Sequence, residues 1–393
     1  TDSAIAKGNE YDGSKNYQVN LNGVKWINDN IKLKNTFYYR DTKSDYDSSA
    51  TAEESVTADN KMYALQTGIE QKNKDSMNNL IFHYHNYDRK YYVQGKKDKY
   101  YSESFVAKAE RTVVTNDKLS YGFGSEYKYD WGHYLTKTFT SQTKGHLENF
   151  GFFANVGYKF NSNQVLSIYN RIDTHKETGG NKTYKINFTQ FLGPFKFGAT
   201  HSTGLKNASL YETYGTIGKR DIKPEKSETN EITGEYNFSK NVKFSSTAYR
   251  TRMKDRIKIN SSWNGYENKI PDTTQEGLES ELVFLGENQI FSITSHFAKS
   301  RTADGGPNSR RPDLSYGLDY SKKLKLQKYT PINFNLSHRY IGDHIDWTGS
   351  QNSFVKSVDL VDMSISNNWY GNIISLNFTN LLNERYEKPA TYS

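Results

Sequence analysis

The stretch FKFGATHS, Phe195 to Ser202, decides the fold. In an extended chain successive side chains point to opposite faces, so Phe195, Phe197 and Ala199 share one face and Lys196, Gly198 and Thr200 the other. The same period of two returns in LSYGLDYS, where Leu314, Tyr316, Leu318 and Tyr320 oppose Ser315, Gly317, Asp319 and Ser321. INFNLSHRY sets Ile332, Phe334 and Leu336 against Asn333, Asn335 and Ser337, and NIISLNFTN sets Ile374, Leu376 and Phe378 against Ser375, Asn377 and Thr379. One face of each strand suits hydrocarbon and the other suits water. A soluble β-sandwich also alternates, but its inner faces need far more Val, Ile and Leu than these strands offer.

Outward from these segments the chain divides into about eighteen candidate strands of roughly ten residues, separated by polar turns. The predicted class is all-β, a transmembrane antiparallel β-barrel that takes in residues 1–393 as one domain. Short connections at Asn161 to Gln164, Ser239 to Asn241 and Gly286 to Asn288 are expected to be periplasmic turns. Long polar ones at Thr42 to Asn60, Gly132 to Glu148, Leu205 to Lys226, Ser300 to Arg310 and Asp343 to Val355 are expected to be extracellular loops.

Composition points the same way. Of 393 residues 34% are hydrophobic, and the mean hydropathy of −0.88 is too low for an ordinary soluble core. Disorder is excluded by 31 Tyr, 21 Phe and 5 Trp, because disordered chains are poor in aromatics. A barrel wall reconciles the two: half of each strand is polar, and aromatic girdles mark both membrane interfaces. No run approaches the ~20 apolar residues of a spanning helix. The chain has no cysteine, which removes disulfides and thiolate metal sites. The net charge of +8 comes from dispersed Lys and Arg with no basic block, which argues against nucleic acid and suits lipid headgroups or lipopolysaccharide phosphates.

Signals for catalysis are absent: no phosphate-binding glycine loop, HExxH or GxSxG elbow occurs. His83 and His85 would share one strand face, but no third metal ligand follows at a suitable spacing, so they read as ordinary wall histidines. Between Arg40 and Glu54, Asp41, Asp45 and Asp47 gather with hydroxyls and carbonyls. Such an oxygen-rich loop can hold Ca²⁺, and a solvated acidic loop is the alternative. From Thr302 to Arg311, TADGGPNSRR ends in two arginines just before a strand. Arg310 there can reach a ligand in the barrel mouth or pair with a lipid phosphate or a loop carboxylate.

Two stretches resemble TonB-dependent outer membrane receptors. The first is HSTGLKNASLYETYG followed by IKPEKSETNEITGEY, where Pro224, Glu225, Lys226, Ser227 and Glu231 match the family's Pro-Glu-Lys-Ser segment and Ala208 replaces its usual proline. The second is NLLNERYEKPATYS, in which Tyr386 matches the turn before the family's last strand. Within the family the strongest resemblance is to vitamin B12 (cobalamin) receptors. Tyr46 to Thr51 is similar to a loop whose aspartate helps bind calcium, which implies Asp47 first among the three aspartates. Arg310 matches an arginine that contacts cobalamin, and Asp346 and Trp347 stand where a contact tyrosine is usual, so Trp347 is the second implied ligand contact.

The resemblance implies a monomeric barrel of about twenty-two strands around a plug that contacts TonB. On that footing the expectation is a piece of barrel truncated at both ends, without plug, signal peptide or closing strand. It also implies uptake of cobalamin and no enzymatic activity. A ferric siderophore or haem is the alternative ligand, drawn in by the positive charge. A passive porin is the alternative from another class.

Overall fold

The computed structural model describes residues 13–47, 55–93, 96–136, 141–269, 272–301, 306, 308–325, 330–347, 352–369 and 371–386. Seven long strands come first, of 15 to 21 residues each: β1 (Ser14–Asn28), β2 (Ile31–Asp47), β3 (Ser55–Lys72), β4 (Ser76–Val93), β5 (Lys96–Val114), β6 (Leu119–Thr136) and β7 (Ser141–Asn161). Then follow β8 (Gln164–His175), β9 (Gly179–Leu192), β10 (Phe195–Lys206), a short helix α1 (Leu210–Tyr214), β11 (Glu225–Ser239) and β12 (Val242–Lys254). A small hairpin, β13 (Arg256–Ile259) and β14 (Tyr266–Lys269), precedes β15 (Thr273–Leu285), β16 (Gln289–Arg301), β17 (Leu314–Leu324) and β18 (Ile332–Ile341). A second hairpin, β19 (His344–Trp347) and β20 (Asn352–Val355), precedes β21 (Val358–Trp369) and β22 (Asn372–Phe378).

Apart from the two small hairpins, the strands form one 18-stranded sheet in which each pairs antiparallel with the next. The expected eighteen-strand antiparallel wall is therefore present. Register turns alternation in single strands into continuous faces. Leu166, Phe188, Ala199, Ile232, Ala248, Leu278, Phe297 and Leu314 lie directly opposite one another from β8 to β17, an unbroken apolar row. On the other face Gly198, Thr233, Thr247, Glu279, His296 and Ser315 form an equally unbroken row of polar and small residues. Ile232 is 68% exposed, a wasted apolar side chain in water and a favourable one in hydrocarbon. A shift of one residue would exchange the faces, so the environment on the two sides fixes the register.

The inner face carries its own ion pairs. Arg171 grips Asp173 through Nε (2.8 Å to Oδ2) and Nη2 (2.8 Å to Oδ1), and reaches Glu126 at 2.9 Å. His83 and His85 lie on this face, 3.2 Å apart, as wall histidines. Among the described residues no group of three His, Cys, Asp or Glu converges as a metal site. Among the same residues β1 pairs only with β2 and β22 only with β21, and both are exposed along their lengths.

Three expected loops differ from the reading of the sequence. The Thr42 to Asn60 segment is largely ladder, paired out to Asp47 opposite Ser55. The Gly132 to Glu148 segment likewise pairs out to Thr136 opposite Ser141, and Asp343 to Val355 contains the β19–β20 hairpin. Polar composition resembled loop because the strand ladder, once started in lipid, continues into water on backbone hydrogen bonds alone. About 9–11 tilted residues suffice to cross the hydrocarbon. The 17 to 21 residues of β2–β7 therefore carry one side of the wall well beyond it.

Candidate ligand vestibule

The tall side of the wall supports a strap packed against its inner face. After β10 the chain enters NASLYETYG, where Ser209 caps α1: its Oγ accepts from the Glu212 N–H at 3.2 Å, and Glu212 Oε2 accepts from the Ser209 N–H at 2.7 Å. Five residues are too few to hold a helix alone. The wall supplies the rest. Gly132 and Gly145 face each other across β6 and β7 on the inner side, leaving a dimple free of side chains. Tyr214 lies over Gly145, so closely that a Cβ there would strike its ring, and Leu210 lies over Gly132.

The Tyr214 hydroxyl donates to Glu177, and Arg220 stacks 5.0 Å from its ring centroid. Burial first, then Glu177, pushes the Tyr214 phenol up to about 12. It therefore stays protonated and able to donate throughout the neutral range. On its far side the strap meets the β13–β14 hairpin, where Ala208, Ile222 and Ile257 form a buried cluster with Tyr266 against it. Asn268 fastens this contact by donating to the carbonyls of Lys223 and Asp255, both at 2.8 Å.

This arrangement brings four tyrosines from four elements into one run. Tyr100 of β5 and Tyr134 of β6 lie 5.9 Å apart between ring centroids, Tyr134 and Tyr211 of α1 5.8 Å, and Tyr211 and Tyr266 of β14 6.4 Å. Tyr211 is 39% exposed and presents an aromatic surface to the mouth. Beneath the strap lies a cavity of about 400 Å³ lined by Lys128, Asp130, Leu147, Asn149, His175 and Asn207 among others. None of these tyrosines stood out in the sequence, since register and loop folding alone bring them together.

Arg310 sits in the left-handed backbone region with φ 61°, and its N–H donates to the Ile345 carbonyl at 2.6 Å. Its Nε donates to Asp346 at 2.5 Å, and Asp346 is 2% exposed. The β16–β17 and β18–β21 connections are thereby clasped together, and a buried carboxylate orients a guanidinium that is 40% exposed. The sequence placed Asp346 beside Trp347 and gave it no task. Trp347 pairs with Asn352 in the hairpin ladder, and its side chain lies outside the described residues.

The three aspartates share the outward parity of β2 but not one place. Asp41 accepts from the Tyr39 hydroxyl at 3.2 Å and pairs with Lys61 at 3.4 Å. Asp45, roughly 13 Å further along the strand at ~3.3 Å per residue, accepts from the Thr57 hydroxyl at 2.8 Å. Asp47 ends the ladder opposite Ser55, and its side chain lies outside the described residues. One cation with bonds of about 2.4 Å cannot take both Asp41 and Asp45, whereas Asp45 and Asp47 are alternate residues at the hairpin tip.

A wall apolar outside and polar inside, with hairpins alternating between short turns and long connections, defines a transmembrane β-barrel with a strap docked inside its extracellular mouth. More narrowly, the chain belongs to the TonB dependent receptor-like beta-barrel family, whose model matches residues 1–381, and so to the outer membrane. The vitamin B12 transporter BtuB of Vibrio cholerae serotype O1 is 24% identical over 288 residues, covering 71% of this chain and 45% of the transporter. The chain thus spans about half the length of the curated relatives it matches. A variant of the ferric enterobactin receptor PfeA from Pseudomonas aeruginosa, in complex with enterobactin, superposes with a TM-score of 0.81 at 14% identity, covering 95% of this chain and 66% of that one. The siderophore receptor PirA from Acinetobacter baumannii gives 0.78 at 15% identity, with 95% and 67% covered. At such identities the two structures speak for the fold.

Proposed function

We propose that this wall belongs to a receptor that captures a bulky, scarce ligand in the vestibule and passes it inward, with energy delivered through TonB to a plug inside the barrel. The observation that carries this reading is the strap. A five-residue helix is held in a glycine dimple by contacts from three sides, and it presents Tyr211 between Tyr134 and Tyr266. An aromatic surface fixed before the ligand arrives lowers the ordering cost of binding. The work is binding and gating, with no bond made or broken.

Cobalamin is the first-choice ligand, supported by the Tyr46 to Thr51 resemblance and by the 24% identity to BtuB. In this reading Arg310, oriented by Asp346, and Trp347 contact the ligand. Ca²⁺, if it serves the receptor, is held by Asp45 and Asp47 and stiffens the β2–β3 hairpin, and Asp41 is left to Lys61. A ferric siderophore or haem is the second reading, favoured by the net charge of +8. The test is titration of the full-length receptor with cyanocobalamin, a ferric catecholate and haem, each with calcium and with a chelator. Saturable binding of cyanocobalamin, tighter with calcium, is the expected result. Absence of binding at micromolar cyanocobalamin rejects that ligand, and binding of one of the other two instead selects the second reading.

A further inference from the structure

The turn between β8 and β9 fastens the strap at both ends. Where the strap begins, the Thr178 hydroxyl donates to Asn207 Oδ1 at 3.0 Å, and at the end of α1 the Tyr214 hydroxyl donates to Glu177. That turn is in its own right organised by His175, the last residue of β8. Its Nδ1 accepts from the N–H groups of Glu177 and Thr178, both at 3.3 Å, in the place where the oxygen of an Asn or Asp more often closes such a turn. A ring nitrogen that accepts carries no proton, so the imidazole in this arrangement is neutral, with its hydrogen on Nε2.

His175 is 5% exposed and lines the cavity beneath the strap, at the extracellular end of its strand. The charged groups around it are Lys128 and Asp130 of β6, Asp173 of β8 and Glu177 in the turn. From β7 come Leu147 and Asn149, with Glu148 paired to His146 at 3.2 Å, and the strap contributes Asn207 to Leu210, none of which titrates. Burial holds the ring below the ordinary imidazole value of 6.5 and Lys128 adds to this, while Glu177, Asp130 and Asp173 oppose it. A strap lifted away returns the ring to water and to its ordinary value. Docking is therefore fully present above pH 6.5 and is lost as the pH falls from there towards the lower value of the docked ring.

We propose that His175 is the positioning residue of the strap and holds α1 in the glycine dimple only while its ring is neutral, so that acid releases the strap and withdraws Tyr211 from the mouth. Protonation sets a hydrogen on Nδ1 against two N–H donors, and the turn loses its closure. Glu177 and Thr178 then leave the positions from which they hold Tyr214 and Asn207. The device is independent of which ligand the vestibule takes.

The test is hydrogen–deuterium exchange of the full-length receptor, read by mass spectrometry on the peptide spanning residues 207–215 and corrected for the intrinsic effect of pH on exchange. One coupled proton can change protection at most tenfold per pH unit, and we expect the parent to lose about threefold or more between pH 7 and pH 5. In His175→Asn an amide oxygen that does not titrate stands in for Nδ1, so protection should stay near the parent's neutral value across the range. His175→Ala should be poorly protected at every pH; should it fail to fold, His175→Asn gives the answer. His146→Gln is the control, because Lys176 of the same turn donates to His146 Nε2 at 2.7 Å, and it should keep the parent's profile. A parent profile without the loss in acid overturns the proposal. An equal loss in His175→Asn, full protection in His175→Ala, or a flat profile in His146→Gln overturns it as well.

Discussion

Arg310 and Asp346 illustrate how a side chain is aimed. A long, flexible arginine at a rim would lose much rotamer freedom in reaching for a ligand, and Asp346 removes that cost beforehand with a bond of 2.5 Å to Nε. Asp346 is buried, so its charge depends on that partner. The two should therefore act as a unit. In a double-mutant cycle of Arg310→Ala and Asp346→Asn, read by the protease resistance of the β16–β17 connection, we expect a coupling of about 1.5–3 kcal/mol, the usual worth of a charge-assisted hydrogen bond. Additive losses would contradict the clasp. Arg310 was visible in the sequence as an arginine before a strand. Its partner was not, because 36 residues of chain separate them and only the register of β17 and β18 closes that gap.

At the scale of elements, the strap draws its stability from the wall and not from its own five residues. Gly145→Val puts a branched side chain where the Tyr214 ring lies, and should expel α1. Gly132→Ala meets Leu210 at 3.3 Å and Tyr134 at 3.0 Å, distances that a small shift relieves. Tryptic cleavage after Lys219 or Arg220 should therefore accelerate about tenfold or more in Gly145→Val, equivalent to ~1.4 kcal/mol of lost docking, and change little in Gly132→Ala. Equal cleavage rates in the two variants would show that the dimple does not hold the strap.

How far these elements were legible depends on what fixes them. FKFGATHS declared its two faces because lipid and water demand different residues at alternate positions. RDTKSDYD did not declare itself a strand, because above the membrane both faces meet water and the alternation vanishes. The capping box at Ser209 and Glu212 was readable in principle from its spacing. The glycine dimple was not, since two glycines 13 positions apart become neighbours only through the β6–β7 register. The three aspartates looked like one cluster because a loop was assumed. On a strand they are spread out, and Asp41 meets Lys61 instead.

The whole molecule is organised by one division: the row through Phe188, Ala199 and Ile232 meets hydrocarbon while the row through Gly198, Thr233 and Thr247 faces the lumen. The vestibule is the open end of that lumen, and the lipid face is the other side of the same wall. These 393 residues contain no cysteine, so within them an introduced thiol reports on the division alone. Single cysteines placed in turn at residues 195 to 200 of the full-length receptor, in intact outer membranes, should react alternately with a small, charged maleimide. Positions 196, 198 and 200 should label, and positions 195, 197 and 199 should label only after the membrane is dissolved. Uniform labelling, or the opposite alternation, would contradict the barrel and the vestibule built on it.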